Sequence, residues 1–229
     1  MAPFSETAVN GVLRPADLLS SLRGPLEPIK ARLSYGEEQR LVVPSAHFLS
    51  GEAFSTHITR FSRRFNIEPN RFLVSLWSQK YLGTVIIPVM ALAMVGGIAL
   101  NADIESTAVV LTGDGEPVAV RLPSTFSTQS SESAASLLTS THLAPLIEAL
   151  AEESGLSRKV LWGNAAHYLE WIIGQFCDGN AQPSLPGPMT NAIRYVEENG
   201  NRVRRRKVCC LRDRVPGVES CGSLCPERK

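Results

Sequence analysis

Val85-Ile-Ile-Pro-Val-Met-Ala-Leu-Ala-Met-Val-Gly-Gly-Ile-Ala-Leu100 runs for sixteen residues without a charge. How it folds decides the rest of the chain. A helix that crosses a bilayer needs about twenty apolar residues. This run is shorter, carries Pro88 and the Gly96-Gly97 pair, and is stopped by Asn101-Ala-Asp103. A helix apolar on every side belongs inside a globule, so the expected fold wraps a core around it. Membrane insertion is the alternative.

Upstream, Pro69 suits the first turn of a helix that runs to about Leu82 and is closed by Gly83, after which Thr84 caps the apolar helix. Before it, Ser50 is placed to cap a helix whose apolar face is Phe54, Ile58, Phe61 and Phe65. His57, Arg60, Arg63 and Arg64 fall on its other sides and read as a solvated basic face. His47 and His57 stand alone, which suits surface or capping roles better than metal ligation. Residues 1–45 are punctuated by Pro15, Pro25, Pro28 and Pro44, and are expected to be irregular apart from a short helix near Ala16–Leu22.

Downstream, the β-branched runs Thr107–Leu111 and Pro117–Leu122 flank Gly113-Asp-Gly-Glu116, which predicts a β-hairpin near 106–122. Because strand follows, this glycine pair is not a dinucleotide-binding loop. Ser124–Ser133 reads as a linker. A helix from about Ser133 to Glu153, interrupted at Pro145, is ended by Gly155. Ser157 caps the next helix, which runs to Cys177 with an apolar stripe of Val160, Leu161, Ala165, Tyr168, Leu169, Ile172, Ile173 and Phe176. On it, Trp162, Asn164 and His167 read as packing residues, with Asn164 placed to orient a loop, the C-terminal one being a candidate. Asp178–Gly187 is a second linker, and Pro188 opens a last helix to about Asn199, stopped by Gly200. The fold class is therefore α+β: a mainly helical single domain with a small β-hairpin and a C-terminal cysteine-rich segment. Residues 1–45 form its irregular start, 46–200 its body, and 201–229 a basic flank with the cysteines.

Hydrophobic content of 44% and a net charge of +1 suit a globule with no general affinity for nucleic acid. Met-Ala-Pro-Phe-Ser-Glu shows no basic segment followed by an apolar one, so no signal peptide is read and a cytoplasmic location is expected. There disulfides are uncommon. Four of the five cysteines nevertheless fall within seventeen residues, Cys209, Cys210, Cys221 and Cys225. Thiolates gathered so densely hold a soft metal or cross-link one another. Zinc draws its sulfurs from two similar Cys-x2-Cys hairpins, whereas here an adjacent pair faces a Cys-x3-Cys. Adjacent side chains diverge on an extended chain, which hinders convergence on one ion. Two irons relax that demand, so the spacing favours an iron–sulfur centre over zinc. Cys177 stands apart and reads as a small buried hydrophobe.

The pattern Cys-Cys-x10-Cys-Gly…Cys-Pro resembles that of the FhuF-like ferric siderophore reductases. Val208-Cys-Cys-Leu-Arg212 and Val215-Pro-Gly217 are similar to that family's cysteine loop, and Leu161-Trp-Gly-Asn-Ala-Ala166 to its helix signature. The resemblance implies a [2Fe-2S] cluster ligated by Cys209, Cys210, Cys221 and Cys225. It implies one-electron reduction of a ferric siderophore, of hydroxamate type, with release of Fe(II). One departure is Leu224, which lengthens the usual Cys-x2-Cys to Cys-x3-Cys. Gly222 is placed to absorb the extra residue.

Arg202, Arg204, Arg205, Arg206 and Lys207 lead into the cysteines, with Arg212 and Arg214 inside the loop. Such charge favours the reduced, more negative cluster and so raises its potential. Arg204, Arg205, Arg206, Lys207, Arg212 and Arg214 are also the candidates for docking an acidic electron donor, against the alternative of a merely solvated run. No P-loop, dinucleotide turn or nucleophile triad is present, so electrons are expected from an external ferredoxin or reductase. Peripheral contact with the inner membrane or an importer stays open. So do two other classes: a cluster-bearing electron-transfer or sensor protein without siderophore turnover, and an interaction protein with a structural four-cysteine zinc site.

Overall fold

A computed structural model describes residues 14–123, 127–128, 131–176 and 185–227. The expected short first helix is α1 (Pro15–Ser21). A 3-10 segment, Gly24–Arg32, follows, and then strands β1 (Leu33–Ser34) and β2 (Leu41–Pro44). From residue 14 onward the segment expected to be irregular is thus built into the fold.

Helix α2 (Gly51–Ser62) starts at Ser50 and buries Phe54, Ile58 and Phe61, as its spacing predicts. Ser50 makes no side-chain capping bond. The next helix corrects the sequence reading. The two helices expected to meet at Gly83 are one, α3 (Arg71–Gly96), 26 residues long. Asn70 caps it, its side chain accepting from the N–H groups of Phe72 (2.9 Å) and Leu73 (3.1 Å). Gly97, at φ 60°, ends it in the left-handed conformation. Gly83 is therefore no stop. A Cβ there would sit 2.9 Å from the Tyr168 ring, so the residue lets two helices approach closely.

Strands β3 (Ile98–Ala99), β4 (Ala108–Leu111), β5 (Pro117–Arg121) and β6 (Ser127–Thr128) follow α3. The predicted hairpin is β4–β5, and it forms the middle of a larger sheet ordered β1-β5-β4-β2. β1 runs parallel to β5, while β2 pairs antiparallel with β4. A separate short ladder joins β3 to β6. The Trp77 indole on α3 donates to the carbonyl of Gly115 in the hairpin turn (3.1 Å) and Thr84 donates to the Pro117 carbonyl (3.1 Å), fastening sheet to helix.

The break expected at Pro145 takes a specific form. Helix α4 (Ser131–Leu137) widens into a π-helical segment, Leu138–Leu143, before α5 (Ala144–Ser154). Proline has no N–H to offer the carbonyl four residues back, which is that of Thr141. That carbonyl accepts from Ile104 N–H instead (3.2 Å). Gly155, at φ 65°, ends α5 as expected.

Helix α6 (Arg158–Phe176) packs along α3 and adds Val160, Leu161, Leu169 and Ile172 to the core. α3 passes the length and composition test for a membrane span, but 83% of its apolar window is buried in the protein. The core-helix reading of Val85–Leu100 is the one observed.

The last predicted helix is absent. Residues Ile193–Glu198 and Asn201–Arg206 form strands β7 and β8, an antiparallel hairpin that pairs Glu198 with Asn201. Asn199 (φ 52°) and Gly200 (φ 74°) are both left-handed, the geometry of a two-residue type I′ turn. The hairpin crosses the boundary expected at 200/201 and makes the basic flank a strand. Cys177 and most of the Asp178–Gly187 linker lie outside the described residues, as does half of the Ser124–Ser133 linker.

Candidate metal centre

Strand β8 delivers the chain to the cysteines, and its alternation sorts the basic run. Arg204 turns inward and its Nε donates to Glu170 on α6 (2.9 Å). Glu170, 3% exposed, also accepts from the Tyr195 hydroxyl (2.7 Å). Arg205 pairs with Glu198 across the hairpin, and Arg202 lies over the Tyr195 ring at 4.1 Å. Arg206 is buried, 2% exposed, and donates to Asn164 Oδ1 at 2.6 Å. A buried guanidinium cannot meet a partner protein, and two engaged ones are poorly placed to do so. Of the expected docking run Arg204–Lys207, burial thus removes Arg206, and ion pairs occupy Arg204 and Arg205. Lys207 and Arg214 are exposed, and Arg212 is half-buried.

Asn164 joins three elements. Its amide Nδ2 donates to Ser78 Oγ (3.1 Å) and Ser75 Oγ (3.2 Å) on α3, while its Oδ1 takes Arg206 from β8. Ser75 Oγ in turn donates to the Cys210 carbonyl at 2.6 Å. The expectation that Asn164 orients the C-terminal loop is met, through Ser75 and Arg206.

Beyond Cys210 the loop reverses through Leu211, whose φ of 59° is rare for a branched side chain. That kink directs the Leu211 N–H at Cys209 Sγ (3.4 Å). A second turn follows at Val215-Pro216-Gly217-Val218. Its Val218 N–H donates to the Val215 carbonyl (3.1 Å) and Gly217 sits at φ 75°, the proline–glycine signature of a type II turn. Gly222, at φ 60°, then opens a single 3-10 turn in which Cys225 N–H reaches the Gly222 carbonyl (3.1 Å). The residue added by Leu224 is taken up in that turn.

Cys209, Cys210 and Cys225 are buried, Cys221 is half-buried, and all four are free thiols. A hydrogen bond with Cys221 draws Cys210 toward the thiolate, helped by the Arg212 backbone N–H and the charges of Arg206 and Arg212. Cys221 is pushed up as the proton-holding partner of that pair. Burial pushes Cys209 up to about 11. Among the described residues no three donors converge on one point, as a single zinc ion would need.

The surroundings fit an anionic cluster. Arg206 Nε and Arg212 Nε are buried without a hydrogen-bond partner. Both guanidiniums act electrostatically on Cys210. Buried donors left open beside thiolates are what cluster sulfur would accept from.

These features define an iron–sulfur protein whose cluster loop is pinned to a helical body. The family profile for the ferric iron reductase FhuF-like transporter matches residues 75–207, more than half of the chain, and the profile for the FhuF 2Fe-2S C-terminal domain matches residues 206–226. The chain belongs to the FhuF-like family, and its cofactor is a [2Fe-2S] cluster. The ferric siderophore reductase of Escherichia coli (strain K12) is 25% identical over 190 residues, covering 74% of this chain and 71% of that relative. The zinc alternative gives way to the iron–sulfur centre.

Ser75, Glu170 and the burial of Arg206 were not read from the sequence. One signal pointed toward them: Asn199-Gly200 between alternating residues is a hairpin turn, and a strand there puts alternate arginines on opposite faces.

Proposed function

We propose that this protein reduces the iron of a ferric siderophore by one electron and so frees it as Fe(II). The observation that carries this reading is the set of four free cysteines beside Arg206 and Arg212, whose buried Nε–H groups are open. When bound, the [2Fe-2S] centre supplies one electron at a time, turning Fe(III) in the chelate to Fe(II) with an electron delivered by an external ferredoxin or reductase. Hard oxygen ligands hold Fe(II) far more weakly than Fe(III), so the metal then exchanges. The chain's own part is positional. Arg206 and Arg212 hold positive charge where the reduced centre needs it, Asn164 and Ser75 fix the loop, and the half-buried Cys221 edge lies nearest to solvent. Exposed Lys207 and Arg214 are the landing points we assign to an acidic donor.

The substrate class follows the relative's activity, with a hydroxamate chelate as the first to assay, and the reaction is assigned to the cytoplasm. The test is anaerobic: chemically reduced protein is mixed with a ferric trihydroxamate and a ferrous trap. One trapped Fe(II) per cluster reoxidised is expected. A reduced cluster that ignores every ferric chelate yet passes electrons to a protein acceptor would establish the electron-transfer or sensor reading instead. Cell fractionation checks the location; recovery in washed membranes would place the protein at the inner membrane or its importer.

A further inference from the structure

A cleft of about 890 Å³ lies beside the cysteine loop, a volume in the range of small-molecule sites. The 3-10 segment, the middle of α3, β5 and α6 wall it, with Arg212 at one end. Its surface is mostly apolar, from Ile87 on α3 to Tyr168, Trp171 and Phe176 on α6. Trp171 is 39% exposed, whereas the other large apolar side chains of α6 are buried or half-buried. The cations of the cleft differ in their freedom. Lys80 is held by Glu116 at 2.8 Å, whereas neither Arg32 nor Arg212 has a carboxylate partner among the described residues. An aromatic-walled cleft with two guanidiniums that no carboxylate holds suits a ligand with hydrocarbon arms and clustered oxygen atoms.

We infer that this cleft seats the ferric chelate, an amphipathic complex whose iron is ringed by oxygen ligands and whose arms are hydrocarbon. The inference rests on the reductase reading. Trp171, Phe176 and Ile87 cover the arms, and Arg32 and Arg212 donate to the oxygens. Arg212 belongs to both sites. Its side chain lines the cleft, and its backbone lies two positions along the loop from Cys210. One residue therefore separates the bound chelate from a cluster ligand, and the half-buried edge of the cluster loop need not open for the two to meet.

The test uses the gallium(III) complex of desferrioxamine B, which has the shape of the ferric chelate but cannot be reduced. Titrated calorimetrically into the cluster-loaded protein, it is expected to bind. Trp171→Ala and Arg32→Glu should each weaken it roughly tenfold. Both residues are partly exposed, so cluster absorption and melting temperature should stay at their wild-type values. Wild-type protein that binds no gallium chelate, or variants that bind it as tightly as wild type, would overturn the assignment of the cleft. Binding that depends on Trp171 while the ferric chelate fails to reoxidise the reduced cluster would leave the cleft standing and overturn the reductase reading.

Discussion

Arg206 of β8 donates to Asn164 of α6 across a 2.6 Å hydrogen bond in the buried core, and this contact ties the cluster loop to the helical body. Hydrogen bonds to charged groups contribute more than neutral ones, and an orphaned buried charge costs more than the bond itself. Asn164→Ala removes the Arg206 bond and the bonds to Ser75 and Ser78 together. It should destabilise the protein by about 2–4 kcal/mol and release the cluster faster. Urea unfolding and iron content over time check both. Arg206→Met, which removes the charge along with the bond, should cost less stability while lowering the cluster potential, read by redox titration.

Replacing Cys209, Cys210, Cys221 or Cys225 by Ser removes one thiolate each, and the [2Fe-2S] absorption should be lost or grossly weakened. Cys177→Ser should leave it intact. Visible spectra with iron and sulfide analysis decide. If Cys225→Ser kept the colour and Cys177→Ser bleached it, the longer Cys-x3-Cys spacing would have moved the fourth ligand.

Lys207 and Arg214 are the exposed cations among the six docking candidates. Charge reversal at both should slow reduction by an acidic donor protein, more at low salt than at high, because steering is screened over a Debye length of about 8 Å at physiological salt. Stopped-flow rates at two ionic strengths check this. Identical rates at both salts, in variant and wild type alike, would leave these residues no part in docking.

His142 carries the acid limb of stability. Its Nδ1 bonds the Ala102 carbonyl (2.8 Å), so the proton sits there and Nε2 accepts from the Tyr81 hydroxyl (2.9 Å). Burial lowers its pKa from 6.5 to about 4. Between those values the unfolded chain binds a proton that the folded chain refuses, so stability falls as pH drops through that window and is unaffected above it. The loss should approach about 3 kcal/mol at the lower end. His167, lowered by burial and then by Arg206, Arg204 and Arg212, acts in the same direction. Urea midpoints from pH 7 to pH 4 should show the limb, and His142→Gln should flatten part of it.

Gly83→Ala tests the close approach of α3 and α6. In an open helix the change would stabilise by about 1 kcal/mol. Here the new methyl meets Tyr168 at 2.9 Å, so a net destabilisation of about 1–3 kcal/mol is expected. Thermal melts give the sign.

The parts of the fold whose cause is local could be read from the residues alone. The apolar run at 85–100 had to be buried, the Gly113–Glu116 turn had to join two strands, and Gly155 had to end a helix. The candidate ligand cysteines stood out because thiolate chemistry depends on residue type and spacing. Gly222 was legible as the residue that absorbs an extra position. Tertiary structure alone decided three other points. Gly83 and Gly155 are the same residue type, but one meets the Tyr168 ring inside a continuous helix and the other turns left-handed at a helix end. Arg204 and Arg206 are alike in sequence to Lys207, yet strand alternation buries Arg206, pairs Arg204 with Glu170 and leaves Lys207 in water. Arg32, Trp171 and Arg212 lie 139 and 41 residues apart along the chain. Only the packing of α6 and the 3-10 segment on α3 brings them to one cleft, because long-range contacts are set by which faces must be buried together.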